Sequence, residues 1–398
     1  LRTPFSSTHS SLHHEHISIM TLKPSQIQAR ELLAPIKFHQ IFNVPATAKH
    51  AELKVSYAIA GPPDENAPTI LFVSGMFAVR WLAVFFDHVA MEERVRILLI
   101  DRPGFGGSTQ VPLRDRIPIY LETIPLLLEH LNIKHVSLAS HSAGTIYALN
   151  IIARLPQIIC PNRPRITLLS PWVHQNLTSV TFLQIASILP DRVLNHWSSV
   201  TNFILNNATP MIASSGEALA AFRSSLFTPE IAASTQRQAA EQRCLEGYGV
   251  SVETKKEIDS LLFKWAFLEG TSGLNDEARL CLKKTDDCSW DACEDYEDMV
   301  KNLVEMWTQR VENNESAILD VKIYLAEEDS MVGEKGKEYF RKCWTSKNWI
   351  AGIKNSKGDI RYLVRPILNP TIIDALALVL IGTMWAARVT SEYVCTYQ

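Results

Sequence analysis

Residues 134–155 run as a short apolar segment, one tight turn and a helix, a combination that few folds accommodate. Residues 135–139 are short and partly β-branched, as a buried strand should be. Residues 145–155 place their apolar side chains at helical spacing and stop before Pro156. Between them lies Ser140-His141-Ser142-Ala143-Gly144, with a small residue two positions away from Ser142 on each side. A serine on so sharp a turn has a strained backbone, and its neighbours must lack bulk where strand and helix crowd together. The usual pattern is Gly-x-Ser-x-Gly; here Ser140 stands in the first glycine position and is small enough for it. The helix N-terminus behind Ser142 brings N–H groups and a positive dipole to where an oxyanion would form. A serine-rich strand–helix turn of no function would show the same five residues, so the surrounding elements have to decide.

Those elements fall in a recognisable order. Residues 69–74 and 95–100 are continuous apolar strands of the kind buried on both faces of a parallel sheet. The first ends in Ser74-Gly75-Met76, the second in Asp101-Arg102-Pro103-Gly104-Phe105-Gly106-Gly107-Ser108. Ahead of them, 23–39 reads as a helix followed by an extended segment, and 51–60 as a strand. Helices are expected at 81–89 and 118–131, the latter with Pro125 as a kink. A strand at 165–170 ends in Pro171-Trp172-Val173-His174. Strand signals then vanish. Helical stretches follow at 180–188, 216–222, 230–245, 254–267, 276–282 and 295–310. Strand periodicity returns at 318–325, a helix at 334–344 and a last strand at 360–364. Strands alternating with helices, a helical insertion, then strands again argue for a parallel α/β sheet with a cap.

The 398 residues, 46% of them hydrophobic, can bury a large core, and a net charge of -3 without a long basic run gives no sign of a nucleic-acid partner. Seven cysteines without zinc spacing suit reduced thiols, a cytoplasmic setting and no metal. Residues 1–19 have no apolar stretch of signal-peptide type, and Met20 opens a more ordinary start. His13, His14 and His16 fall in a tail expected to be unstructured. Residues 372–387 are apolar but short for a membrane span, so a final core helix is expected there.

With Ser74-Gly75-Met76, the 101–108 turn, the 140–144 pentapeptide and Ala326-Glu327-Glu328-Asp329 in this order, the chain resembles α/β-hydrolase-fold proteins, of the type common among fungal hydrolases. The resemblance implies a mostly parallel eight-stranded sheet flanked by helices, with a helical cap between strands six and seven. The expected division is a tail at 1–40, core at 41–176, cap at 177–316 and core again at 317–398. It also implies a small-molecule, mostly apolar substrate, no cofactor, and a place in secondary metabolism. Trp265, Phe267, Trp290, Tyr296 and Trp307 of the cap would line the pocket or pack within the cap. Oligomeric state is not legible.

On this resemblance Ser142 is the nucleophile, and the N–H groups of Ala143 and Met76 form the oxyanion hole. Asp329 is the triad acid, with Glu327 and Glu328 as competitors. Asp101 is a turn-fixing residue rather than a catalytic acid. The base is the departure: no histidine follows His196, and Asn369-Pro370-Thr371-Ile372 stands where the pattern has His-Asp-Thr-Ile. Three readings are open. The C-terminal reading frame is altered; another histidine serves, with His174 at the sheet edge as the alternative base and His141 pointing away; or the pocket does lyase, cyclase, isomerase or binding work instead.

Overall fold

The computed structural model describes residues 22–76, 78–178, 230–269, 272–326, 329, 331–345 and 360–367. Eight strands form one sheet: β1 (Gln40–Val44), β2 (Leu53–Ala60), β3 (Thr69–Val73), β4 (Arg96–Ile100), β5 (Ser137–His141), β6 (Arg165–Leu169), β7 (Leu319–Ala326) and β8 (Ile360–Ile367). Their order is β1-β2-β4-β3-β5-β6-β7-β8. β2 runs antiparallel to both neighbours, and the strands from β4 to β8 are parallel.

The helices, numbered among the described residues, are α1 (Pro24–Leu33), α2 (Leu82–Glu92), α3 (Arg116–His130), α4 (Gly144–Arg154), α5 (Glu230–Tyr248), α6 (Val252–Glu269), α7 (Ser272–Cys281), α8 (Tyr296–Glu312) and α9 (Gly333–Thr345). Alternation along the strands divides the core in two. Leu71, Val73, Leu98 and Ile100 join the apolar layer of α3, α4, α8 and α9. Ile70, Phe72, Ile97 and Leu99 join that of α1, α2 and α6. Because successive side chains leave a strand on opposite faces, a strand apolar at every position is the signature of a sheet covered on both sides.

Between β6 and β7 the described residues hold helices and no strand. The expected helices at 180–188 and 216–222 lie outside the described residues. Trp290, Tyr296 and Trp307 are buried within the core layer rather than facing a pocket. Their polar atoms are spent on backbone carbonyls: Trp290 Nε1 donates to Leu280 O at 2.7 Å, Tyr296 OH to Trp172 O at 2.9 Å and Trp307 Nε1 to Ala317 O at 3.1 Å.

Two elements differ from expectation. β1 was not legible, because its burial alternates weakly at a sheet edge. The strand expected at 135–139 lies at Ser137–His141, since parallel pairing with β3 starts only at Ile70↔Ser137 and Val136 bridges to Ile159 instead. Pro125 sits inside one continuous helix, α3. Among the described residues no helix is long and apolar enough to cross a membrane; residues 372–387 lie outside them.

Candidate active site

β5 ends at His141, α4 begins at Gly144, and Ser142 takes a φ of +49° between them. A left-handed backbone costs a non-glycine residue on the order of 1 kcal/mol, and it persists only where the surroundings impose it. Three bonds do so here. Ser142 N–H donates to Leu169 O of β6 at 3.0 Å, and Ser142 O accepts from Thr145 N at 2.9 Å and Trp172 N at 3.2 Å. Gly144 must lack a side chain, because a Cβ there would lie 2.2 Å from Val73 O. Ser140 is fully buried, and its hydroxyl has no partner among the described residues. Ala143 is fully buried at the mouth of α4.

The loop after β3 lies directly beside the elbow. A Cβ on Gly75 would come within 3.4 Å of Ser142 Cβ and 2.9 Å of His141 Nδ1. Ser74 Oγ donates to Ala78 O at 3.0 Å, and Ala78 N donates to Gly75 O at 3.1 Å, closing the loop into a tight turn that carries Met76. Arg102 grips the same loop from below. Its guanidinium donates to Ser74 O at 2.5 Å, Gly75 O at 2.7 Å and Met76 O at 3.3 Å. Asp101 holds the adjoining turn: its carboxylate accepts from Ser56 Oγ at 2.6 Å and Arg80 Nη1 at 2.8 Å, and its carbonyl from Ser108 Oγ at 3.0 Å. Arg102 was not singled out in the sequence, where it reads as one more residue of a glycine-rich turn. An arginine two residues past a buried strand was the available signal.

Asp329 follows β7 by three residues. Its Oδ1 accepts the N–H groups of Met331 at 2.9 Å and Val332 at 2.8 Å, ahead of α9. Those bonds fix the carboxylate at the carboxyl edge of the sheet, the edge that also carries Ser142 and Met76. Glu327, Glu328 and Asn369 lie outside the described residues.

His174 caps a short turn, its Nδ1 accepting Asn176 N–H at 3.3 Å. The ring meets Trp290 edge to face at 5.8 Å, and its pKa is lowered by burial and by Lys283. No bond joins His174 to Ser142 among the described residues. Burial beneath the loop at Gly75 brings His141 down to about 4, so it stays neutral at physiological pH. The ring keeps part of its accessible area, while the 74–76 loop closes over its Nδ1 side. Among the described residues no group of His, Cys, Asp and Glu side chains is arranged to hold a metal ion.

A mostly parallel sheet with this strand order, an antiparallel second strand and a left-handed serine between β5 and α4 defines the α/β-hydrolase fold. No protein-family model matches the chain. It is 36% identical over 77 residues to the dihydrolipoyllysine-residue acetyltransferase component of the acetoin cleaving system of Pseudomonas putida; the match covers 19% of this chain and spans only 20% of that protein. Among solved structures it is similar to the epoxide hydrolase VrEH1 of Vigna radiata, at 14% identity and a TM-score of 0.48, over 88% of this chain and 100% of that one. It is also similar to the enol-lactonase of Burkholderia xenovorans, at 12% identity and a TM-score of 0.44, over 83% and 96%. It is the strand order and the elbow that define the class; likeness at this level says nothing of substrate.

Proposed function

We propose that the chain is a serine-hydrolase-like enzyme acting on a medium-sized, mostly apolar ester, thioester or lactone. The observation that carries this reading is the φ of +49° at Ser142, held by a bond to Leu169 of β6, by bonds from Thr145 and Trp172, and by the contact of Gly144 with β3. Other residues of the chain also take a positive φ, but on a strand-to-helix turn at the end of a parallel sheet this conformation exposes the serine Oγ as a nucleophile elbow does. Ser142 Oγ would attack the substrate carbonyl and give up its proton to a base as the tetrahedral oxyanion forms. The N–H groups of Ala143 and Met76 would stabilise that oxyanion, and neither donates to a protein acceptor among the described residues. Asp329 would orient the base. That the substrate is apolar is carried over from the resemblance: Trp290, Tyr296 and Trp307 are core residues, and the partly exposed Trp265 packs on Trp81 with ring centroids 5.2 Å apart.

A second reading, non-hydrolytic chemistry or binding on the same scaffold, is favoured by one observation: Asn369 stands where the base is expected, and no histidine follows His196. An amide cannot take the serine's proton at neutral pH. A fluorophosphonate probe with an ester turnover assay separates the two. Labelling of wild type but not Ser142→Ala, with turnover, supports the hydrolase. Labelling without turnover supports the second reading. A wild type that is not labelled rejects Ser142 as a nucleophile.

A further inference from the structure

The insertion reaches back onto the core at two ion clusters, one part-buried and one fully buried, that the reaction outlined above does not use. At the end of α6, Glu269 accepts from Arg80 Nη1 at 2.7 Å, Arg80 Nη2 at 2.6 Å and Trp81 Nε1 at 3.0 Å. On α7, Glu277 is fully buried. Its Oε2 accepts from Arg116 Nη2 at 2.7 Å and Tyr147 OH at 3.0 Å, and its Oε1 lies 3.0 Å from Arg102 Nε in an ion pair, not an aligned hydrogen bond. Between the two carboxylates Gly273 N donates to Gly104 O at 2.9 Å, tying the start of α7 to the turn after β4.

Arg102 is the link from this cluster to the elbow. The Gly75 carbonyl that it grips belongs to the same planar peptide unit as the Met76 N–H, so fixing the one direction fixes the other. A hydrogen bond accepted by that carbonyl also polarises the unit and strengthens its N–H as a donor. Phe105 and Tyr147 face the guanidinium with ring centroids at 5.1 and 5.4 Å, which limits its tilt. A buried carboxylate and two flanking rings therefore hold the arginine that aims the loop.

We infer that Glu277 is a positioning residue for the oxyanion hole: the insertion sets the direction of the Met76 N–H through Glu277 and Arg102. This rests on the reading of Met76 as an oxyanion donor. Loss of one such donor costs about 10²–10³-fold in rate in a characterised hydrolase, so a misaimed one should cost at least ~10-fold.

The test compares wild type with Glu277→Gln in two measurements well below the unfolding temperature: the fluorophosphonate labelling rate of Ser142, and amide hydrogen exchange across residues 74–78. The expected result is labelling slowed by ~10-fold or more together with faster exchange at the loop. The double variant Glu277→Gln, Arg116→Gln removes one charge of each sign, and it is the variant to read should the single one not fold. It should label as slowly as the single variant, because Arg102 has still lost its partner. Wild-type labelling rates in a folded variant would overturn the inference, even with a lowered melting temperature, since a purely structural carboxylate would change only stability. Should wild type itself resist the probe, the nucleophile reading fails, while unchanged loop exchange in the variant would overturn the positioning role independently.

Discussion

The Cβ position of Gly144 lies 2.2 Å from the carbonyl oxygen of Val73 and 2.6 Å from that of Ser74, so α4 meets the end of β3 backbone to backbone. The two small residues flanking Ser142 are thus not equivalent. Gly144 occupies a contact with no room for a methyl group, whereas Ser140 points its side chain into a space that holds a hydroxyl.

Gly144→Ala should therefore push α4 off β3 and displace the elbow. Overpacking against fixed backbone costs about 1–3 kcal/mol or more. A fall in the urea midpoint with loss of probe labelling at Ser142 is expected; unchanged stability would mean that the contact relaxes freely.

Ser140→Ala should have the opposite sign. The Ser140 hydroxyl is fully buried without a partner among the described residues, and such a group carries a penalty of roughly 1–3 kcal/mol. Removing it should raise stability by about 1 kcal/mol without altering the labelling of Ser142, checked by thermal unfolding and the same probe.

Acid sensitivity should arise in part at His141. Burial lowers its folded pKa to about 4, while an unfolded histidine titrates near 6.5. Protons therefore favour the unfolded chain. The contribution is fully present above pH ~6.5 and is lost progressively as the pH falls toward 4, by about 2 kcal/mol at pH 5. His174 is shifted the same way. Urea midpoints of wild type and His141→Gln between pH 7.5 and 5 should diverge, with the variant the flatter of the two.

Asn369→His should raise hydrolysis of a simple activated ester by at least ~10-fold, provided that the elbow, Asp329 and the two N–H donors are in place. A proline at 370 fixes its own φ at about −65° wherever it lies, which would blunt the gain. Efficient turnover by wild type, unaffected by this substitution, would put the base elsewhere, with His174 the first residue to replace.

What the sequence determined by itself is whatever depends on local rules. The runs at 69–74 and 95–100 announced strands buried on both faces, because a strand covered by helices is apolar along its middle, with polar Thr69 and Arg96 only at the strand starts. The spacing around Ser142 announced the sharp turn, because only small residues fit where strand and helix converge. Polar partners across long separations were not legible in that way. Glu277 and Arg102 stand far apart in the chain, and each alone reads as a solvated charge. Only the packing of α7 against the turn after β4 takes both out of water, and a buried charge must then find its counterpart. The same holds for Trp290, Tyr296 and Trp307: their aromatic character was plain, but whether they faced a pocket or the core was decided by how the insertion folds back onto the sheet.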